Sequence, residues 1–255
     1  MIQESLAVQT RAEINPWTDE RAGLGCTLKV ASYNIHRCIG TDGKYNPDRI
    51  AAVIRHLNPD LIGLQEVDDR VPAGGGMFQL KYLASRLNYR AIAGPCITGH
   101  NGHYGNALLT RLPIIDHRLI DLSVKGREPR GALDLDLVMG EHLLRVIVTH
   151  LGCRAFERRK QIVKLLGLIA RGEKRPTVIM GDFNEWSRHG RGIRRINFHF
   201  GLTSDRPTFP SILPIFPLDR IWALGASKRP DFHIEKSPLT RAASDHLPVS
   251  AVIKF

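Results

Sequence analysis

The segment LKVASYNIHRCIGTDGKYNPDRIAAVIRHLNPDLIGLQEV, residues 28–67, decides how this chain folds. Leu28 to Tyr33 is an apolar stretch that reads as a strand. Asn46-Pro47-Asp48 offers an N-cap with proline at the first helical position, and Ile50, Val53, Ile54 and Leu57 follow at helical spacing. Asn58-Pro59 stops the helix, and Leu61-Ile62-Gly63-Leu64 reads as a buried strand. Strand, helix and strand in that order make a β-α-β unit.

Further along the chain the pattern changes and then returns. Ala132 to Met139 alternates Leu133, Leu135 and Leu137 against Asp134 and Asp136, Gly140-Glu141 turns, and Leu143 to Val148 continues, which predicts a hairpin. Ala155 to Ala170 reads as a helix with Ile162, Leu165, Leu166 and Ile169 on one face. Thr177 to Met180 is a short strand that delivers Gly181-Asp182-Phe183-Asn184 to its end. Hairpins mixed with β-α-β units imply mixed sheets with helices packed outside. Residues 1–26, which include Pro16, Gly23 and Gly25, show no period and read as an N-terminal arm, leaving residues 27–255 as one domain.

Composition sets the outer limits. With 255 residues, 43% apolar and 24% charged, the chain has the balance of a soluble globular protein. No apolar run approaches the roughly 20 residues that span a bilayer, so no transmembrane segment is expected. The N-terminus lacks a basic region followed by an apolar core, which argues against a signal peptide. Four scattered cysteines without a CxxC pair fit reduced thiols and a cytoplasmic location. The net charge of +11 favours anionic partners: nucleic acid, anionic phospholipid surfaces or phosphorylated small molecules. Nothing marks an obligate protein partner.

Polar residues gather at the ends of the expected strands, where side chains leave the core and can converge. Asn34 follows the first strand, Glu66 the second, His150 the strand Ile147-Val148-Thr149, and Asp182 and Asn184 the next. Asp219 lies in Leu218-Asp219-Arg220-Ile221-Trp222, and Asp245-His246 precedes Leu247-Pro248-Val249. Singly, each is an ordinary turn former or structural histidine. The ordered set is what carries information.

In that order the chain resembles the endonuclease/exonuclease/phosphatase superfamily, which includes DNase I-like nucleases, sphingomyelinases, inositol polyphosphate phosphatases and deadenylases. The resemblance rests on Ser32-Tyr33-Asn34-Ile35-His36, Pro59-Asp60-Leu61-Ile62-Gly63-Leu64-Gln65-Glu66-Val67, and Gly105-Asn106-Ala107-Leu108-Leu109. It continues through Thr149-His150-Leu151, Gly181-Asp182-Phe183-Asn184, Leu218-Asp219-Arg220-Ile221 and Ser244-Asp245-His246, from about residue 28 to the C-terminus. It implies a four-layer α/β (α+β) sandwich of two mixed β-sheets with outer helices, DNase I-like, with the site at one edge between the sheets. It also implies Mg²⁺, with Mn²⁺ able to substitute, as a hard cation held by oxygen ligands. Glu66 is then the principal ligand, with Asn34 beside it and Asp245 contributing directly or through water. Asp182 corresponds to the water-orienting base and Asn184 to the amide that positions phosphate or water. His246 corresponds to the histidine that stabilises the pentacovalent phosphorus, Asp219 to its partner carboxylate, and His150 to a further donor to a non-bridging oxygen. Asn106 matches another polar position lining the site.

The substrate is less determined. Asp68 stands where the DNA-repair branch usually has lysine, and Phe183 where it has Trp or Tyr, which argues against an abasic-site endonuclease. Arg130 is read either as a bidentate phosphate contact or as a salt-bridged surface arginine, and His36 as facing the mouth to bind phosphate or metal. Phe209, Ile212, Leu213, Ile215 and Phe216 form an apolar, proline-punctuated loop. The expected activity is a phosphodiesterase on nucleic acid or a phospholipid-type diester. The alternatives are a phosphomonoesterase on a soluble metabolite and a non-catalytic phosphate-binding relative.

Overall fold

The computed structural model describes residues 25–70, 78–170, 175–201 and 203–255. The arm expected over residues 1–26 lies outside them except for Gly25 and Cys26. Strand β1 (Thr27–Asn34), helix α1 (Pro47–Leu57) and strand β2 (Leu61–Asp68) form the expected unit, with β1 and β2 parallel. The Asn46 side-chain oxygen accepts from the Arg49 amide at 3.2 Å, Pro47 opens the helix and Asn58 closes it in the left-handed conformation. After α2 (Gln79–Leu87) come β3 (Arg90–Gly99), β4 (Gly102–Thr110), β5 (Ile114–Asp121), β6 (Gly131–Met139) and β7 (His142–His150). Then follow α3 (Ala155–Ala170), β8 (Thr177–Asp182), α4 (Arg191–Phe200), β9 (Asp219–Leu224), β10 (Asp231–Ile234), α5 (Pro238–Ala243) and β11 (Val249–Lys254).

A six-stranded sheet is ordered β10-β11-β1-β2-β4-β3 and a five-stranded sheet β5-β6-β7-β8-β9. Each holds one parallel pair joined by a helix, β1-α1-β2 or β7-α3-β8, flanked by antiparallel strands. Period-two alternation sorts the side chains into layers. Val30, Leu61, Val146, Val148, Val178 and Met180 point between the sheets. Ala31, Ile62 and Leu64 meet Ile50, Val53 and Ile54 of α1, and Ile147 and Ile179 meet Ile162 and Leu165 of α3. The result is a helix–sheet–sheet–helix sandwich. Gly63 lets the sheets approach closely, since a Cβ there would stand 2.8 Å from the Met180 sulfur and 2.9 Å from a Val148 methyl.

Asp134 and Asp136, which alternate with the leucines of β6, are buried as well. Arg145 grips Asp134 with bonds of 2.9 and 2.7 Å, and Arg118 reaches Asp136 at 3.0 and 3.1 Å. Buried carboxylates of this kind persist because the guanidinium forks satisfy them.

The functional consequence is where strands end. β1 and β2 pack across onto β7 and β8, so the carboxyl ends of both parallel pairs meet at one edge of the sandwich. In open α/β sheets that edge is where side chains escape and ligands bind.

Candidate active site

Glu66 reaches the cleft through a break in the ladder. Leu64 pairs with Ala107 and Val67 with Gly105, so Gln65 and Glu66 together face the single residue Asn106. This is a β-bulge, and Glu66 takes φ 58°, a left-handed conformation a β-strand does not supply. Its side chain turns to Asn34, whose Nδ2 donates to Glu66 Oε1 at 3.0 Å and to Asp182 Oδ2 at 3.1 Å. The Asn34 Oδ1 is taken by the His36 amide at 3.0 Å, which fixes the direction of the amide. Asn34 therefore joins the two carboxylates, and its oxygen points to the backbone of the next turn.

The second parallel pair brings an imidazole and a carboxylate side by side, because His150 pairs with Asp182 in register. Asp182 Oδ1 accepts from the Asn184 amide at 2.8 Å, and its Oδ2 lies 3.5 Å from His150 Nε2 and 3.7 Å from His246 Nε2. The Asn184 side chain donates to Leu151 O at 2.8 Å and contacts His150 Nε2 at 3.0 Å. An amide nitrogen donating to both leaves Nε2 as acceptor and places the His150 proton on Nδ1. Burial is the largest influence on His150 and outweighs Asp182, holding the ring neutral with its pKa pushed down to about 3.

His246 is the opposite case. Burial again opposes its charge, but Asp219 at 2.8 Å from Nδ1, with Asp182 beyond, more than offsets it and raises the pKa to about 10. At neutral pH the site thus holds one imidazolium and one neutral imidazole within reach of a single carboxylate oxygen. Asp219 faces Asp182 across the β8–β9 pair, and its Oδ1 is buried with no hydrogen-bond partner.

Asp245 and His36 stand at the mouth, with His36 Nδ1 3.7 Å from Asp245 Oδ1. His36 Nδ1 also lies 3.1 Å from Ile39 O, so in the neutral ring it donates there and Nε2 is the open nitrogen. His36, Arg37 and Cys38 are successive left-handed residues, φ 43°, 57° and 60°. Such conformations cost on the order of 1 kcal/mol each or more and cluster at functional sites.

Asn106 and Arg130 sit farther back. Asn106 lies opposite the Glu66 bulge, bridges the sheets by donating to Gly131 O at 3.0 Å, and leaves its buried Oδ1 without a partner. Arg130 is buried rather than a surface residue, bound at 2.9 Å to exposed Glu128, with its Nε unpartnered. Arg158 is also buried and donates to Cys153 O at 2.7 Å.

The donor set allows a test of fit for a divalent cation. Among the described residues, Asp182, Asp219 and His246 place ligand atoms within 4.8 Å of one another. We do not regard that trio as the ion's cage, because Asp219 and His246 are already bonded to each other and an imidazolium cannot ligate. Glu66 forms no ion pair among the described residues and has one side-chain partner there, Asn34. Asp245, with a side chain 38% exposed, has His36 and Ser244 as its carboxylate's partners among the described residues. Two carboxylates without cationic clamps, at the mouth of a basic protein, fit a hard cation.

Three neighbours were not singled out by sequence reasoning. Ser244 donates from Oγ to Asn34 O at 2.7 Å, tying the Asp245–His246 turn to the end of β1. The Phe209 ring packs on His246 with centroids 4.8 Å apart. Buried Tyr104 keeps its phenol proton, because burial and the Glu66 charge push its pKa up. Ser244 and Phe209 fell within quoted motifs, so the signal was present but had no chemistry attached; Tyr104 carried none.

A sandwich of two mixed sheets with this cleft is the DNase I-like architecture. The chain belongs to the Endonuclease/Exonuclease/phosphatase family, matched over residues 31–246. Members of that family are typically hydrolases of phosphoesters that use a divalent metal. The chain is 29% identical over 248 residues to the uncharacterized protein YbhP of Escherichia coli (strain K12), covering 89% of this chain and 96% of YbhP. It superposes with TM-score 0.72 and 23% identity on an endonuclease/exonuclease/phosphatase from Beutenbergia cavernae DSM 12333, covering 90% of this chain and 72% of that one. D. rerio TDP2, crystallised with a single strand DNA product, matches with TM-score 0.67 and 20% identity, covering 90% and 99% of the two chains.

Proposed function

We propose that this protein is a magnesium-dependent phosphodiesterase, with manganese as an effective substitute. The observation that carries the reading is the placement of Asp182 Oδ2 among Asn34, His150 and the His246 imidazolium. A buried carboxylate oxygen directed at two imidazoles is arranged to take a proton beside a group where negative charge develops.

Glu66 and Asp245 would hold the cation, with His36 Nε2 and Asn34 beside them. When bound, it supplies Lewis acidity toward a phosphoryl oxygen and charge stabilisation for the leaving oxygen. Asp182 orients the attacking water and accepts its proton as the water oxygen bonds to phosphorus. The bond from phosphorus to the leaving oxygen breaks, and that oxygen is released to take up a proton. The His246 Nε2–H donates to a non-bridging oxygen, and Asp219 keeps that ring charged and oriented. Asn184 fixes His150, whose protonated Nδ1 is the donor left for phosphate. Asn106, with its open Oδ1, and Arg130, once released from Glu128, line the substrate side. The single strand DNA bound by the TDP2 relative and the net charge of +11 support an anionic diester as substrate.

The test is hydrolysis of bis(p-nitrophenyl) phosphate beside p-nitrophenyl phosphate, with Mg²⁺, Mn²⁺ or EDTA, for wild type and Glu66→Ala. Metal-dependent cleavage of the diester, lost in the variant, is expected. Preference for the monoester would replace the reading with a phosphomonoesterase, and equal turnover in EDTA would remove the cation from it.

A further inference from the structure

The loop from Phe209 to Phe216 is bound to the catalytic centre at its base and unsatisfied at its tip. Phe209 and Phe216 form an isolated antiparallel bridge, with Phe216 N donating to Phe209 O at 2.8 Å and Phe209 N to Phe216 O at 3.0 Å. The Ser211 amide donates to Asp245 O at 2.7 Å and its Oγ to Ser244 O at 2.7 Å, so the loop forms one wall of the cleft. Trp186, two residues beyond Asn184, packs edge-on against Phe216 at 4.6 Å and Phe209 at 6.0 Å. Pro210 and Pro214 restrict the backbone between these anchors, and Pro217 follows directly after them.

Beyond this base, Ile212, Leu213 and Ile215 are 63%, 68% and 53% exposed. Single exposed aliphatic residues are common, but three on one stiff tip beside the active site form a patch that looks for a partner. Three arginines stand close to its base in the chain or by contact, with Asp205 beside one of them. Arg206 precedes the loop, Arg188 follows Trp186, and the Arg241 carbonyl accepts from Ser211 Oγ at 3.2 Å. All three are exposed and form no ion pair among the described residues. An exposed apolar tip with unpaired arginines near its base, on a chain of net charge +11, suits the headgroup boundary of an anionic membrane. It suits single-stranded nucleic acid less, because bases stack on aromatic faces, the tip is aliphatic, and the Phe209 and Phe216 rings are packed against Trp186 and His246.

We propose that loop 209–216 docks the protein on an anionic phospholipid bilayer and brings the cleft to a phosphodiester of the lipid headgroup. The second half rests on the phosphodiesterase reading above; the docking does not. No helix among the described residues is long and apolar enough to cross a membrane.

Co-sedimentation of the whole chain with phosphatidylcholine vesicles containing about 30% phosphatidylglycerol tests it in EDTA, without turnover. Wild type is expected to pellet, and pure phosphatidylcholine to capture about tenfold less. Ile212→Ser/Leu213→Ser/Ile215→Ser is expected to lose about tenfold in partitioning while cleaving bis(p-nitrophenyl) phosphate at the wild-type rate. Leu213→Trp keeps the tip apolar and should show a blue-shifted emission, quenched by brominated lipid, when vesicles are added. With Mg²⁺, wild type should release soluble headgroup from the vesicles about tenfold faster than the triple variant. Wild type that stays in solution while cleaving the soluble diester would overturn the docking and leave the phosphodiesterase standing. A triple variant that binds vesicles as wild type does would overturn it too, as would one that loses only oligonucleotide affinity or only self-association. Vesicle binding without any diester hydrolysis would uphold the docking and sink the catalytic reading instead.

Discussion

The two β-α-β units meet at the same cleft with opposite chemistry. β1-α1-β2 ends in Asn34 and Glu66, oxygen and amide groups with no cation among the described residues, with left-handed backbone at Glu66 and, just after Asn34, at His36. β7-α3-β8 ends in His150 and Asp182, which sit in regular register and are held by Asn184. One unit is distorted to present a carboxylate to solvent. The other keeps His150 and Asp182 in ladder register, takes its left-handed turn only beyond the strand at Asn184 (φ 48°), and tunes proton affinity by burial. On the proposed function, the two supersecondary units divide the reaction, one side arranged for a cation and the other for proton transfer.

That division can be broken most severely at Asp182. Asp182→Asn should lower diester turnover by about 10³-fold or more while Mn²⁺ binding, read by electron paramagnetic resonance, stays near wild type. Glu66→Gln should instead weaken Mn²⁺ binding by at least about tenfold. Equal loss of ion binding in both would erase the distinction.

Next in size is Asp219→Asn, expected to reduce kcat by about 10²-fold. Without that carboxylate the His246 proton is lost at lower pH, so the basic limb of the kcat profile should move from about 10 toward the ordinary 6.5. An unmoved limb would remove His246 from the profile.

Stability of the metal-free protein sharpens the comparison further. Between about 6.5 and 3 the unfolded chain takes up a proton that folded His150 refuses, so stability falls as pH drops through that window. Between about 6.5 and 10 folded His246 keeps a proton the unfolded chain has released, so its contribution, complete below 6.5, is lost as pH rises. Each slope is at most about 1.4 kcal/mol per pH unit, and His150→Gln should flatten only the acid side in denaturant titrations. The smallest effect on activity is expected from Gly63→Ala, which crowds Met180 and Val148 and should cost roughly 1–3 kcal/mol of stability, measured by urea unfolding, with turnover nearly intact.

Legibility in the sequence followed local signals. The cap at Asn46-Pro47, the stop at Asn58-Pro59 and the apolar face of α3 make both crossover helices readable, and α3 runs over Ala155–Ala170 as its periodicity predicts. Edge elements were silent. β5 is exposed along most of its length, β3 carries Gly94 and Pro95, and α2 and α4 begin without a side-chain cap. In the site, the strand-end polar residues were visible as a set, but their bonding was not. That Asn34 spends both protons on Glu66 and Asp182, or that Arg130 is buried against Glu128, depends on contacts between strands far apart in the chain.

The bulge at Gln65-Glu66 has one more consequence, which concerns phase. Leu64 and Val67 lie in the same helix-facing layer although three positions separate them, an odd step that an unbroken strand forbids. β2 is therefore two strands of opposite parity spliced at the active site. Deleting Gln65 would not trim a loop. It would restore the even step from Leu64 to Val67, keep Val67 in its layer without any bulge, and turn the glutamate to the opposite face, where simple alternation sends it.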